Sequence, residues 1–171
     1  MPEFQLGPCQ IYNNTDGADL GKTYGGVTVA VEESSVVLNT DQDGETPVDE
    51  QIVGTTVTVT ANLAEITLAN LAFALKTSVA SNQVKIIPNV GTSLFSNSKE
   101  IVIKPYVNGV VTTDQTKMIL IPKAGIKATI DMSYNASDQR AIALTLTGYP
   151  DSSLSGSPCA VFGASASASV V

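Results

Sequence analysis

The sequence predicts a mainly β fold, a β-sandwich of two antiparallel sheets with about seven or eight strands and one flanking α-helix near 65–76. Three observations carry that expectation: a dominant hydrophobic period of two, one isolated helical stripe, and a length of 171 residues that suits one domain. The period is clearest where Val53, Thr55, Val57, Val59, Ala61 and Leu63 share one face and Thr56, Thr58 and Thr60 the other. That is the pattern of a half-buried strand. Ile126, Ala128, Ile130, Met132 and Tyr134 alternate in the same way with Lys127, Thr129, Asp131 and Ser133. A polar turn at 135–140 then leads into Ile142, Leu144 and Leu146, which predicts a β-hairpin. Further strands are expected near 9–13, 27–38, 83–87, 100–107 and 117–122, all rich in Val, Ile and Thr. In Glu65 to Lys76 the period changes: Leu68, Leu71, Ala72 and Leu75 recur at helical spacing and predict a helix with that stripe toward the core. We place the sandwich domain at 1–150. Residues 151–171, small and low in charge, read as a low-complexity C-terminal arm.

Charge is divided unevenly. Residues 1–70 carry eleven acids against Lys22 alone, whereas the remainder is net basic and the chain sums to −7. A net-acidic surface repels phosphate and anionic lipid, which argues against nucleic-acid wrapping and membrane docking. Residues 1–8 show neither the basic start nor the apolar stretch of a secretory signal, and no apolar run approaches the roughly 18 residues that span a bilayer. A soluble chain is therefore expected, with Cys9 and Cys159 reduced.

The expected function is not enzymatic, and no catalytic, cofactor-binding or metal residue is assigned. There is no histidine, which removes Ser-His-Asp and Cys-His catalysis and leaves too few soft ligands for zinc. Three strings imitate sites. Gly17-Ala18-Asp19-Leu20-Gly21-Lys22-Thr23 resembles a phosphate-binding loop but has three residues between its glycines where four are needed, and a strand pattern follows it. Ser96-Asn97-Ser98-Lys99 has the Ser-x-x-Lys spacing without the helix that would align both side chains. Asn39 to Glu50 places oxygens and a glycine as a twelve-residue calcium loop does, yet strands flank it where helices are required. It reads as an acidic turn joining two strands.

The same turn carries a family likeness. Asp41-Gln42-x-Gly44-x-Thr46-Pro47-Val48-Asp49, then Gly54, Leu63-Ala64-Glu65 and Thr67-Leu68-x-Asn70-Leu71, resembles the tail tube (major tail) proteins of long-tailed bacteriophages. Gly7-Pro8 before Ile11-Tyr12, Leu20-Gly21 before Gly25-Gly26-Val27, and Ile121-Pro122-Lys123-Ala124 follow in the order that family uses, so the likeness covers residues 6–150. The resemblance implies a structural virion protein, in the host cytoplasm during assembly and in the phage tail afterwards. It implies a homo-oligomer of hexameric rings stacked into a hollow tube, the conduit for DNA ejection. Implied partners are a tape-measure protein, a tail terminator and baseplate or tail-tip proteins, with DNA passing through the lumen without specific binding. It also implies that the acidic turn contacts the adjoining ring, through Asp41, Asp43, Gly44, Glu45, Thr46, Pro47, Asp49 and Glu50. Lys104, Lys117, Lys123 and Lys127 are the available opposite charges. Two other readings fit the same residues: a β-sandwich binding module on a bacterial surface, and the tube subunit of a phage-derived secretion or killing device.

Overall fold

The structure, a computed structural model, describes residues 7–88, 90–132, 134, 137 and 139–163. Its main strands are β1 (Cys9–Asn13), β2 (Ala18–Asp19), β3 (Thr23–Leu38) and β4 (Asp49–Leu63). After helix α1 (Leu68–Leu75) come β5 (Val79–Ala80), β6 (Gln83–Val84), β7 (Lys99–Val107), β8 (Val110–Val111), β9 (Ile119–Asp131), β10 (Ala141–Tyr149) and β11 (Val161–Phe162). One large antiparallel sheet runs in the order β2-β1-β7-β9-β10-β4-β3, with β11 added to β9 and β8 to β7. Strands β5 and β6 form a small second sheet.

The large sheet has to curl. Its seven-strand path would be about 29 Å wide if flat. Yet β2, at one end, is joined to β3, at the other, by Leu20-Gly21-Lys22, a link that reaches at most about 14 Å. The sheet therefore folds over its own inner face and gives a sandwich-like body. Ile11, Leu63, Ile101, Ile121, Ile126, Ile142 and Leu146 meet inside it at 0–1% exposure. Gly21 makes the link possible. Its φ is +79°, and a Cβ there would lie 2.6 Å from the Glu65 carboxylate that accepts from Lys22 N–H at 3.1 Å.

Alternation holds where expected in β10, whose even residues Ile142, Leu144 and Leu146 are buried. The predicted hairpin is β9–β10, paired from Lys123–Tyr149 to Asp131–Ala141. The strands expected near 117–122 and 126–134 are one strand, β9, which ends at Asp131, so that Met132 and the exposed Tyr134 lie beyond it. Pro122 does not break it, because the β7–β9 register is irregular between Lys99 and Ile101, where a missing N–H is tolerated. The strand expected at 83–87 is shorter. Ser81 and Asn82 turn with φ of 51° and 57° into the two-residue strand β6, and residues 85–88 leave it without pairing.

Helix α1 lies inside the predicted 65–76 and keeps Leu71 and Ala72 of the predicted stripe toward the core, but its inward face is rotated away from Leu68. Leu68 is 41% exposed, whereas Asn70, Ala72 and Ala74 are buried and Leu71 and Phe73 pack on the core. The physical reason is Asn70, whose side-chain N–H groups donate to Leu20 O at 3.0 Å and Glu65 O at 2.7 Å. Thr67 caps the start by accepting from Asn70 N–H at 3.1 Å, and Lys76 in the left-handed conformation ends the helix. Of the expected C-terminal arm, residues 151–163 fold back so that Val161 and Phe162 pair with Leu120 and Ile119. Residues 164–171 lie outside the described part, as do Ser133, Asn135, Ala136 and Asp138 of the predicted turn.

Candidate functional site

Strands β3 and β4 are much longer than the five or six residues typical of a strand, and the core does not follow them to their ends. From Val31 to Thr56 every residue is exposed, although pairing continues from Val31–Val57 to Leu38–Asp49. The outer part is thus a free two-stranded arm reaching about 20 Å from the body before its turn.

Register fixes what each face of the arm carries, because directly opposed residues share a face. Val31, Glu33, Ser35 and Val37 oppose Val57, Thr55, Ile52 and Glu50 on one face. Glu32, Ser34, Val36 and Leu38 oppose Thr56, Gly54, Gln51 and Asp49 on the other. A bulge between Ser34 and Ser35 absorbs Val53, so the alternation expected from Val53 to Leu63 is interrupted at its outer end. Val53 is 63% exposed rather than buried, and Ile52 62%. Apolar residues therefore stand on both faces of a ribbon with no core beneath it.

The sequence-predicted contact residues occupy the tip of this arm and its last pairs. Asp43 N–H donates to Thr40 O at 3.1 Å, the Thr40 hydroxyl donates to the Asp43 carboxylate, and Thr46 N–H donates to Asp43 O at 3.2 Å. Val48 N–H closes the turn on Leu38 O at 2.9 Å. Gly44 takes φ +65° in the turn, between Asp43 and Glu45, and Pro47 precedes β4. Asp49 accepts from Glu50 N–H at 2.8 Å, and Glu50 accepts from the Ser35 hydroxyl. Asp41, Asp43, Glu45, Asp49 and Glu50 do not converge; among the described residues no three acidic or thiol side chains form a metal-ligand group. Residues 31–56 contain seven carboxylates and no base, so the arm holds the whole net charge of −7 while the remainder, with nine acids and nine bases, is neutral.

No family model matches the chain, and no curated protein matches it in sequence.

The other two imitations of sites meet at a cleft of about 520 Å³ between α1, the β1–β2 turn and residues 96–99. The Ser96 to Ser98 backbone is a turn, with Ser96 N–H on Ser93 Oγ and Ser98 N–H on Phe95 O. Lys99 opens β7 and donates to Asp16 at 3.0 Å. That bond, with the Asn13 amide, holds the Asp16 carboxyl below the usual carboxylate range. Residues 17–23 run from the end of the β1–β2 turn through β2 and the Leu20–Lys22 link straight into β3, with Asp19 Oδ1 accepting from Gly21 N–H at 2.9 Å. A phosphate cradle needs a helix N-terminus there. Lys76 donates to Ile126 O at 3.2 Å. The cleft's charged groups Asp16, Asp19, Lys76 and Lys99 are thus tied to one another, to neighbouring amides and to backbone.

Sequence reasoning found the arm's tip and missed its shaft: Val36, Val37, Leu38, Ile52 and Val53. The signal was present as consecutive apolar residues, Val36-Val37-Leu38 and Ile52-Val53, which a strand with one solvated face does not carry. Lys104, one of the expected opposite charges, sits 4.2 Å over the Tyr12 ring. Among the described residues no helix is long and apolar enough to cross a membrane.

Proposed function

We propose that this chain is a structural subunit that self-assembles through its β3–β4 arm into stacked rings, forming the hollow tail tube through which a phage passes its DNA. The observation that carries the reading is the arm itself: a ribbon with apolar residues on both faces and the entire net charge of the chain. A free two-stranded ribbon is marginal in water, so a partner is what gives it a lasting shape. A second copy suits it, because the acidic arm on a neutral body makes a head-to-tail contact between unlike surfaces, and such contacts close into rings or extend as filaments.

Magnitudes favour many weak contacts over one strong dimer. Val36, Val37, Leu38, Ile52 and Val53 are about half exposed, so covering them contributes on the order of 1 kcal/mol each. That is comparable with the lower end of the roughly 4–15 kcal/mol that association costs. One arm alone gives a weak pair, whereas closure of a ring adds contacts at high effective concentration. Assembly should therefore appear steeply above a threshold concentration. Electron microscopy and sedimentation of the purified protein test this: rings or hollow filaments are expected, and a monomer that persists at millimolar concentration would overturn the reading in favour of a binding module.

A further inference from the structure

We propose that the surface receiving the arm is the loop after β6 of a second copy of this chain, with Ile86, Ile87 and Val90 as its apolar anchor and Lys85 as its charge. This inference rests on the self-assembly reading and adds to it the identity of the docking partner.

Two independent observations select that loop. The first is exposure: Val90 is 98%, Ile86 80% and Ile87 58% exposed, the densest group of bare aliphatic side chains outside the arm among the described residues. Such residues on a loop lose nothing by leaving water and have no intramolecular core to enter. The second is charge. Between Glu65 and Glu100 the chain contains three lysines and no acid; Lys99 pairs with Asp16 and Lys76 donates to Ile126 O, which leaves Lys85 as the charge of the exposed loop, the converse of the arm with its acids and no base. The run from Lys117 to Lys127 is likewise without acid, but its residues from Met118 to Ile126 are buried or half-buried and offer no bare aliphatic surface, and Lys104 is engaged over Tyr12. The loop is therefore the place where an acidic, apolar ribbon meets both chemistries it needs, aliphatic groups for Val37 and Ile52 and an ammonium for Glu50 or Glu33. Those four arm residues share one face. Burying the aliphatics supplies affinity, and the charges set register and approach rate.

Disulfide trapping tests the pairing, because it registers weak contacts that are short-lived in solution. In a Cys9→Ser, Cys159→Ser background, Ile52→Cys protein is mixed in equal amounts with Ile86→Cys protein and mildly oxidised. The mixed disulfide is expected to exceed either homodimer several-fold, and to fall when salt is raised to screen Lys85. The same arm variant mixed with Lys127→Cys protein is the comparison. If the parent polymerises but the arm cross-links to position 127 and not to 86, the arm docks on β9 and the assignment is overturned. If the parent polymerises and neither pair cross-links, the loop faces another partner, which also overturns it. If the parent forms no polymer, the self-assembly reading has failed first, and the two failures are thereby distinguished. Positions 52, 86 and 127 are exposed, and Cys9 and Cys159 are half-buried and take the near-isosteric Ser. An unchanged melting temperature and β-content confirm that the variants remain folded.

Discussion

Asn70 shows how much one side chain decides. It is 5% exposed, and its two N–H donors satisfy carbonyls of Leu20 and Glu65, which ties α1 to the short link that lets the sheet curl. Replacing it with Ala removes the partner of both carbonyls, of which the Leu20 carbonyl is buried and the Glu65 carbonyl part-buried, and a buried acceptor left unpaired costs about 1–3 kcal/mol. Asn70→Ala is accordingly expected to lower the melting temperature by roughly 5–10 °C for a chain of this size, as read by calorimetry. A change under about 2 °C would mean that α1 is held by its apolar contacts and that the amide is incidental. Thr67 adds to the same joint by capping the helix on Asn70 N–H. The residues at the arm's tip behave differently. Their hydrogen bonds are exposed and local, and they hold a turn together without holding the body.

At the scale of elements, β3 and β4 divide into two regimes along their own length. Their inner parts, Val57 to Leu63 with Val27 to Val29, belong to the core, and their outer parts are exposed along their whole length and join no core cluster among the described residues. Stability should follow that division. Amides in residues 32–38 and 49–55 are expected to exchange with deuterium within seconds in the monomer, and those of β10 orders of magnitude more slowly. Protection of the arm should then appear on assembly. Equal protection of arm and body in a proven monomer would contradict the description of the arm as free. Replacing residues 41–49 by a Gly/Ser linker of equal length tests the tip in the same way. The variant should melt within a few degrees of the parent, since every replaced residue is exposed, yet fail to form long assemblies. Normal polymerisation would show that the tip is not a contact and leave the shaft to carry assembly alone.

For the whole molecule, the segregation of charge is the property that reaches furthest. An arm of −7 on a neutral body repels other arms and is drawn to basic segments, so on the self-assembly reading subunits are expected to meet head to tail in preference to arm to arm. Raising ionic strength from about 0.05 to 0.5 M shortens the screening length from roughly 14 to 4 Å. Assembly, followed by light scattering, should then start more slowly while its apolar contacts persist. Acceleration by salt would mean that like-charge repulsion controls the encounter. The sequence by itself determined the β class, the strands of the core, the existence of the helix and the acidic turn between β3 and β4. Each of these is a local matter: a half-buried strand must alternate, and a turn must be polar. Tertiary structure alone decided that β1 pairs with β7 across some ninety residues, that the sheet curls because Leu20 to Lys22 is short, and that Asn70 and not Leu68 faces inward. It also decided that β3 and β4 run past the core. Period and propensity are the same for a strand with a core beneath it as for one without, and only the placement of the other strands shows where the core ends.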